Sequence, residues 1–190
     1  MIAIIDYGSG NLNSVKNALD YLKIESKIVS TPKEIEDAKR IILPGVGSFG
    51  FMMKNLREKG LEEPIKRAIE TGKPFLGICL GMQALFEESE ESPGIKGLGI
   101  FKGRVVKFRK GKVPQVGWNK IIPMKNGIFR EGYVYFVNSY YVIPKSKNII
   151  VTTTDYFGKF ASSVQYKNIT AVQFHPEKSG DFGLELLRRW

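Results

Sequence analysis

The first half of the chain alternates short apolar segments with amphipathic ones, and this alternation restricts the fold more than any other feature. Ile2–Ile5 and Arg40–Leu43 are apolar runs typical of buried strands. Between them Leu12, Val15 and Leu19 recur at spacings of three and four, which predicts a helix. Strands that alternate with helices form a parallel sheet with helices on both faces. We therefore predict an α/β fold.

Further segments of the same kind continue the pattern to about residue 88. Thr31, Pro32 and Glu34 are typical of a helix start, because threonine caps the helix, proline suits its first turn and glutamate completes a capping box. The other predicted segments are a strand over Lys27–Ser30, a helix around Pro64–Glu70, a strand over Phe75–Ile78 and a helix over Leu80–Glu88.

From about residue 99 the pattern changes to strands, because β-branched and aromatic residues dominate and helical periodicity is missing. The strands predicted here are Ile100–Phe108, Asn119–Ile122, Tyr133–Ile143, Ile149–Thr153, Ala161–Tyr166 and Thr170–Phe174, followed by a helix over Gly183–Trp190. No linker or repeat divides the 190 residues. We predict a single domain over residues 1–190, with a mostly parallel central sheet that antiparallel strands continue.

Charge, cysteine content and hydropathy exclude several classes of protein. The net charge is +10, but no nucleic-acid-binding motif accompanies the basic segment Lys102–Lys112, so we expect no nucleic-acid partner. An acidic protein partner would match this charge equally well. A single cysteine forms no intrachain disulfide, which fits the cytoplasm, and with a single histidine it is too little for a metal site. No apolar run is long enough to span a membrane.

The single cysteine lies in PFLGICLGMQ, between Gly77 and Gly81. A strand, then glycine, any residue, a nucleophile, any residue and glycine, then a helix, is the pattern of a nucleophile elbow. The nucleophile then occupies a strained turn at the carboxyl edge of the sheet, where open α/β sheets form their clefts. The alternative is a buried, unreactive cysteine, which would not need the flanking glycines. We interpret Cys79 as a nucleophile and the Leu80 N–H as a donor to an oxyanion.

The single histidine lies at the end of a predicted strand in AVQFHPEKS. A thiolate catalyst needs a base that moves protons to and from the reacting groups, and His175 is the candidate. The spacing of two residues lets the Glu177 carboxylate turn back, orient the imidazole and stabilise its charged form. A third segment, ILPGVGSFG, places glycines after a strand, and backbone N–H groups of Gly45, Val46 and Gly47 would complete an oxyanion hole. A plain strand–helix connection is equally consistent with this segment alone.

Together, GICLGMQ, PGVGSFG and FHPEKS resemble the class I (triad) glutamine amidotransferases. The segments DYGSGNLNSV, VGWN and YFVNSYYV extend the resemblance over nearly the whole chain. They are similar to one branch of the family, the glutaminase subunits of imidazole glycerol phosphate synthase in histidine biosynthesis. The resemblance implies a flavodoxin-like α/β amidotransferase fold, and we expect no cofactor.

The resemblance also implies a mechanism. Cys79 attacks the side-chain amide of glutamine and forms a γ-glutamyl thioester, His175 protonates the departing ammonia and then activates water, and Glu177 orients His175. Among the substrate-binding positions of the family, Gly47 and Gln83 match those that hold the substrate. Ser139 and Tyr140 match the strand that receives its α-amino acid end.

The resemblance further implies a heterodimer with a cyclase subunit, a (βα)8 barrel that takes up the ammonia and makes imidazole glycerol phosphate and an aminoimidazole-carboxamide ribotide. Asn11, Trp118 and Lys178 match positions of the interface with that cyclase, although ordinary surface polarity would also explain Asn11 and Lys178. Because members of the family have little glutaminase activity without their partner, we expect the partner to shift the PGVG loop between two states.

One position departs from the family pattern, and three alternatives stay open. Where members often carry histidine this chain has Asn138, and we expect the same geometry because an amide donates and accepts as a neutral imidazole does. The alternatives are a glutaminase of another branch, such as the one feeding pyridoxal phosphate synthesis, a non-catalytic regulatory module of the same fold, and an unrelated cysteine hydrolase. A dinucleotide site at Gly8-Ser9-Gly10 is excluded, because Asn13 replaces its third glycine.

Overall fold

The computed structural model describes residues 1–8 and 11–190, so Ser9 and Gly10 of the segment considered above lie outside the described residues. The helices are α1 (Leu12–Tyr21), α2 (Pro32–Asp37), α3 (Phe49–Glu58), α4 (Glu62–Glu70), α5 (Leu80–Gln83) and α6 (Gly180–Arg189). The strands are β1 (Ile2–Ile5), β2 (Ser26–Val29), β3 (Arg40–Leu43), β4 (Phe75–Ile78), β5 (Glu88–Ser89), β6 (Gly103–Lys107), β7 (Gln115–Pro123), β8 (Gly132–Asn138), β9 (Tyr140–Pro144), β10 (Ile150–Asp155), β11 (Lys159–Tyr166) and β12 (Ile169–Val172). Short 3-10 turns cover Lys147–Ile149 and Pro176–Lys178.

The main sheet has nine strands in the order β2-β1-β3-β4-β12-β11-β10-β7-β8. Its first five strands are parallel, and the next four continue it antiparallel. The predicted α/β fold, a parallel sheet extended by antiparallel strands of the C-terminal half, is confirmed. The parallel strands β4 and β12 are neighbours, so their carboxyl ends meet at one edge of the sheet.

Helices cover both faces of the sheet because neighbouring residues along each strand point to opposite sides. On β3, Ile41 and Leu43 belong to the core cluster that also contains the buried residues of α2, α3 and α4. Ile42 belongs to the opposite cluster, which contains those of α1 and α6. Strands with apolar residues on both sides are the form that a doubly covered sheet requires.

A second, three-stranded sheet has the order β5-β6-β9 and corrects one sequence prediction. The segment Tyr133–Ile143, expected as one strand, divides at Ser139: β8 pairs with β7 in the main sheet, and β9 pairs with β6 in the small one. The Ser139 carbonyl, between the two strands, accepts the Phe108 N–H at 3.0 Å. The chain therefore changes sheets at a residue that was expected in the substrate site.

Two helices also differ from the expectation. The helix predicted over Leu80–Glu88 ends at Gln83, because the carbonyls of Ala84 and Leu85 accept N–H groups of the following loop, from Leu98 and Phe101. Helix α3 was not predicted. Glycines near its start weaken the helical pattern there, but its buried side chains pack into the core, and the Ser48 hydroxyl caps it.

None of the helices in residues 1–8 and 11–190 has the length and the apolar composition that a bilayer crossing requires.

Candidate active site

Cys79 lies at the end of β4, at the sharp turn into α5. Its backbone is strained for a residue with a side chain, with φ 54° and ψ −109°. The turn is anchored on both sides: the Cys79 N–H donates to the Val172 carbonyl of β12 at 2.7 Å, and the Cys79 carbonyl accepts the Met82 N–H at 3.0 Å. This is the strained strand–turn–helix geometry that the sequence predicted for a nucleophile.

The flanking glycines are required by close backbone contacts. A Cβ atom on Gly81 would lie 1.9 Å from the Leu43 carbonyl oxygen, and one on Gly77 would lie 2.7 Å from the Gly81 carbonyl oxygen. Gly45 of the neighbouring loop is equally restricted, since its Cβ would lie 2.6 Å from Cβ of Leu80. Distances below 3 Å to backbone atoms cannot be relieved by a side-chain rotation. Only glycine at these positions therefore allows β3, β4 and α5 to approach one another this closely.

Replacing Gly81 by alanine is expected to lower the free energy of unfolding by about 3 kcal/mol or more, because the backbone of β3 or α5 must move away from the added methyl group. Urea unfolding followed by circular dichroism measures the change. The matched control is Gly127→Ala, where an added Cβ meets no atom within 4 Å. Equal unfolding midpoints for the Gly81 and Gly127 variants would show that the close approach is not structurally required.

His175 is held three residues beyond β12 by contacts on both sides. Its N–H donates to the Tyr135 carbonyl of β8 at 2.9 Å, and its carbonyl accepts the Ser179 hydroxyl at 2.6 Å. The imidazole Nδ1 lies 2.7 Å from Glu177 Oε1, and the two side chains are only 5% and 1% exposed. The second carboxylate oxygen, Oε2, is buried without a hydrogen bond. The orienting contact predicted from the spacing of two residues is therefore present.

The protonation of His175 is set by two opposing effects. Burial of the ring by itself lowers the pKa of His175, but the charge and contact of the Cys79 sulfur, followed by the Glu177 carboxylate, raise this pKa to about 10. The ring is consequently protonated at neutral pH. A protonated imidazole beside a cysteine favours the thiolate form of that cysteine.

The cysteine and the histidine face the same pocket, of about 300 Å3. Its lining residues are Gly45, Val46, Gly47, Cys79, Leu80, Gln83, Glu91, Pro114, Val137, Asn138, Ser139, Tyr140, His175 and Lys178. Every residue predicted for the oxyanion hole or the substrate site is among them, although they come from separate parts of the chain. The third member of the predicted triad, Glu177, lies behind His175 and outside this pocket.

Sequence reasoning missed Glu91, whose carboxylate reaches the pocket from the loop after β5. Its Oε2 accepts the Phe49 N–H at 2.7 Å, at the first residue of α3. The carboxylate is therefore fixed at a helix N-terminus, where the helix dipole favours negative charge. Glu91 is one of several acidic residues in LFEESEESPG, and nothing in that run distinguishes it from its neighbours.

The loop with the predicted oxyanion donors is tied to Tyr7. The Tyr7 hydroxyl accepts the Val46 N–H and donates to the Val46 carbonyl, both at 3.2 Å. The Val46 N–H, predicted as a donor to the oxyanion, is thus engaged away from the pocket. Gly47 has a φ of 93°, which a glycine adopts readily. The peptide that joins Val46 to Gly47 can therefore rotate more freely than one between two residues with side chains.

The predicted interface residues lie in three different places. Trp118 is 56% exposed on β7, where its ring packs edge-on against Tyr135 of β8. Lys178 lines the pocket, and Asn11 lies before α1 at a separate small gap behind His175.

The Asn138 side chain donates to the Tyr140 carbonyl at 3.0 Å, while its own oxygen is buried without a hydrogen bond.

No three His, Cys, Asp or Glu side chains in the described part of the chain are grouped so that they could bind a metal ion. The chemistry that this site offers is that of a sulfur nucleophile, an imidazole and a carboxylate in a small pocket. Such a set catalyses acyl transfer through a covalent thioester intermediate.

Known proteins match the chain over its whole length. The family described as Glutamine amidotransferase class-I matches residues 3–190. The chain is 52% identical to "Imidazole glycerol phosphate synthase subunit HisH" of Pyrococcus furiosus, covering 100% of this chain and 97% of that protein. It is 48% identical to the protein of the same name from Methanothermobacter thermautotrophicus, with the same coverage. A solved structure described as "Crystal structure of glutamine amidotransferase" is similar in fold, with a TM-score of 0.81 at 23% identity over 99% of this chain and 96% of that one. The chain belongs to the class-I glutamine amidotransferases.

Proposed function

We propose that this chain is the glutaminase subunit of an imidazole glycerol phosphate synthase, and that residues 1–190 act as one amidotransferase domain in the cytoplasm. The observation that carries the proposal is the geometry of Cys79, His175 and Glu177 at one edge of the sheet. The sulfur and the ring line one pocket, and the carboxylate lies 2.7 Å behind the ring. Relatives at 48% and 52% identity are named as a subunit of this synthase.

In the first half of the proposed reaction, the Cys79 sulfur attacks the side-chain carbonyl carbon of glutamine. The C–S bond forms, the carbonyl oxygen becomes negatively charged, and backbone N–H groups such as that of Leu80 stabilise it. The protonated His175 then donates its proton to the amide nitrogen, the C–N bond breaks, and ammonia leaves. The γ-glutamyl group remains on the sulfur as a thioester.

In the second half, the now neutral His175 takes a proton from a water molecule, which attacks the thioester carbonyl. Collapse of this intermediate breaks the C–S bond and releases glutamate. Glu177 keeps Nδ1 protonated and stabilises the imidazolium each time it forms. Its buried position supports this role, because a carboxylate shielded from water acts strongly on a charge 2.7 Å away.

Substrate recognition is proposed to involve the residues that line the pocket beyond the sulfur. Ser139 and Tyr140 line the pocket at the point where the chain passes from β8 to β9. The Glu91 carboxylate has the charge to bind the α-ammonium group of glutamine. Tyr140 lines the same pocket, and burial, followed by the charges of Glu91 and Glu90, raises the pKa of the Tyr140 hydroxyl.

The partner is proposed to be a (βα)8-barrel cyclase that forms a heterodimer by docking on the β7–β8 hairpin. The hairpin presents exposed Val116, Trp118, Tyr133 and Val137 on one face. Val116 is paired directly with Val137, whose carbonyl lies 3.9 Å from the Cys79 sulfur. This apolar face is thus continuous with the active site, so a partner seated on it would cover the exit for ammonia.

Ammonia release from glutamine is expected to rise about tenfold or more when a separately purified cyclase subunit is added. Docking would then move the PGVG loop and free the Val46 N–H from the Tyr7 hydroxyl, which completes the oxyanion hole. A coupled glutamate dehydrogenase assay measures ammonia at saturating glutamine, with and without the cyclase.

Two variants test whether the exposed face of the β7–β8 hairpin contributes to stimulation by the cyclase. Trp118→Ala should weaken stimulation by the cyclase while leaving the rate without cyclase unchanged, because a central tryptophan dominates many interfaces. Tyr166→Ala, at a half-exposed aromatic residue of β11, should behave as the unmodified protein. Equal rates with and without the cyclase would overturn the proposed partner, and a protein with no glutaminase activity in either case would overturn the proposed function.

A further inference from the structure

A second side chain, Gln173, contacts the sulfur of Cys79. Its Nε2 lies 3.6 Å from Sγ, within hydrogen-bond range for a sulfur acceptor. Gln173 follows β12 directly and is completely buried. The Gln173 N–H donates to the Ser162 carbonyl at 2.9 Å, so the backbone that carries this amide is fixed to the neighbouring strand β11.

The orientation of the Gln173 amide follows from a chain of hydrogen bonds that begins at a backbone carbonyl. The Tyr140 carbonyl only accepts, and it lies 3.1 Å from the Gln83 amide, which must therefore present its nitrogen there. The same nitrogen has a second hydrogen, and it lies 3.0 Å from the Gln173 Oε1. With its oxygen held by Gln83, Gln173 has only N–H groups left to direct toward the sulfur.

The contact favours one protonation state of the sulfur. A thiol donates its proton, and the Val137 carbonyl lies 3.9 Å from Sγ as an acceptor. A thiolate has no proton and requires donors, and a hydrogen bond to a charged atom is stronger than one to a neutral atom. The Gln173 amide is such a donor, and it is shielded from water.

We propose that Gln173 is a catalytic residue of the reaction proposed above, whose amide N–H binds the thiolate of Cys79, and that Gln83 is a positioning residue that holds this amide in place. Gln83 thereby acquires a role beyond the contact with substrate expected for it. The catalytic role of Gln173 rests on the proposed glutaminase function. The contacts that Gln173 makes with Cys79 and Gln83 involve neither glutamine nor a partner.

The test measures alkylation of the thiol by iodoacetamide, which reacts with thiolate. Cys79 is the single cysteine of the chain, and mass spectrometry of the peptide that contains it separates its alkylation from that of lysines. In Gln173→Met, which retains the length but lacks the donor, we expect the rate at about pH 6 to fall three- to tenfold. At about pH 10 the rate should equal or exceed that of the unmodified protein, because high pH ionises thiols without a nearby donor and a thiolate with fewer hydrogen bonds is the better nucleophile.

Two further variants make the result specific. Gln83→Met keeps the Gln173 amide but removes its anchor, so the loss at the lower pH should be smaller than in Gln173→Met. Gln165→Met, on β11 and away from the sulfur, is the matched control and should show the unmodified profile. Thermal unfolding confirms that each variant is folded at both pH values.

The inference is overturned if folded Gln173→Met is alkylated at the unmodified rate at the lower pH, or if its rate falls equally at both pH values. Alkylation is measured without glutamine and without the cyclase, so its outcome does not depend on the proposed function. If the expected profile appears in a chain that releases no ammonia, the contact with the thiolate stands and the glutaminase assignment fails. If ammonia is released but Gln173→Met shows the unmodified alkylation profile, the glutaminase assignment stands and the proposed contact with the thiolate fails.

Discussion

Ammonia release from glutamine is expected to fall by about 10⁴-fold or more when Cys79 is replaced by alanine, even with the cyclase present. Alanine removes the atom that forms the thioester, and no other cysteine exists in the chain to replace it. The remaining groups of the pocket would still be able to bind glutamine, but none of them is a nucleophile that could replace the thiol. The coupled glutamate dehydrogenase assay at saturating glutamine measures the rate.

The fold and the binding of glutamine should survive this substitution, which separates a chemical effect from a structural one. The Cys79 sulfur lies 3.6 Å from Gln173 Nε2 and 3.9 Å from the Val137 carbonyl, and it also contacts the His175 ring, so the thermal unfolding midpoint should fall only by the loss of these contacts while unfolding stays cooperative. Calorimetry should still detect glutamine binding to Cys79→Ala. A rate above about one hundredth of the unmodified rate would remove Cys79 from the mechanism.

Replacing Glu177 by glutamine is expected to lower ammonia release by about 10³- to 10⁴-fold. The amide keeps the shape of the carboxylate but loses its charge, so it no longer stabilises the imidazolium or fixes the proton on Nδ1 of His175. The carboxylate lies 2.7 Å from this nitrogen and is only 1% exposed, which leaves no water to compensate. The same assay measures the loss.

The stability of this variant should depend on pH with a definite sign. The pKa of His175 in the folded chain, about 10, lies above its ordinary value of 6.5, so the folded state binds this proton more tightly than the unfolded state. The resulting stabilisation is complete below about pH 6.5 and is lost as the pH rises through 10. Glu177→Gln removes one cause of the raised pKa. Its deficit in unfolding free energy should therefore be largest at about pH 6 and smaller at about pH 10.

The matched control for both measurements is Glu185→Gln, at an exposed carboxylate of α6 that pairs with Arg189. This variant should keep its activity and show a small change in stability, as exposed ion pairs contribute little. If Glu177→Gln kept most of the activity, or if its stability deficit grew toward high pH, the assigned role of the carboxylate would be wrong.

The elbow could be predicted from local sequence because its requirements are local. The turn requires a buried strand and glycines two residues away on both sides of Cys79, and one short segment contains all of these residues. The contact between His175 and Glu177 was also accessible, since two residues separate them. The strands β1 to β4 and the helices α1, α2 and α4 were predicted from local sequence, while the glycines near the start of α3 weaken the helical pattern there.

The second half of the chain was predicted less well because its strands choose partners by long-range packing. Nothing in YFVNSYYV indicates that the chain leaves the main sheet at Ser139, since both parts have equal β-propensity. The end of α5 is a similar case: the carbonyls that would continue the helix are bound by a loop more than ten residues later. Glu91 depends on this loop packing for its place in the pocket.

The sequence by itself determined most strands and helices of the first half, the elbow at Cys79 and the contact between His175 and Glu177. These properties depend on residues close together in the chain, where hydrogen-bonding and steric rules act directly. Only the tertiary structure decided that the Val46 N–H faces Tyr7, that Glu91 reaches the pocket, and that Gln83 aims Gln173 at the sulfur. Each of these contacts joins residues that are at least 39 positions apart. The pairing of β1 with β3 and of β4 with β12 brings Tyr7 to Val46 and Gln83 to Gln173, and no local sequence pattern indicates which strands will be neighbours.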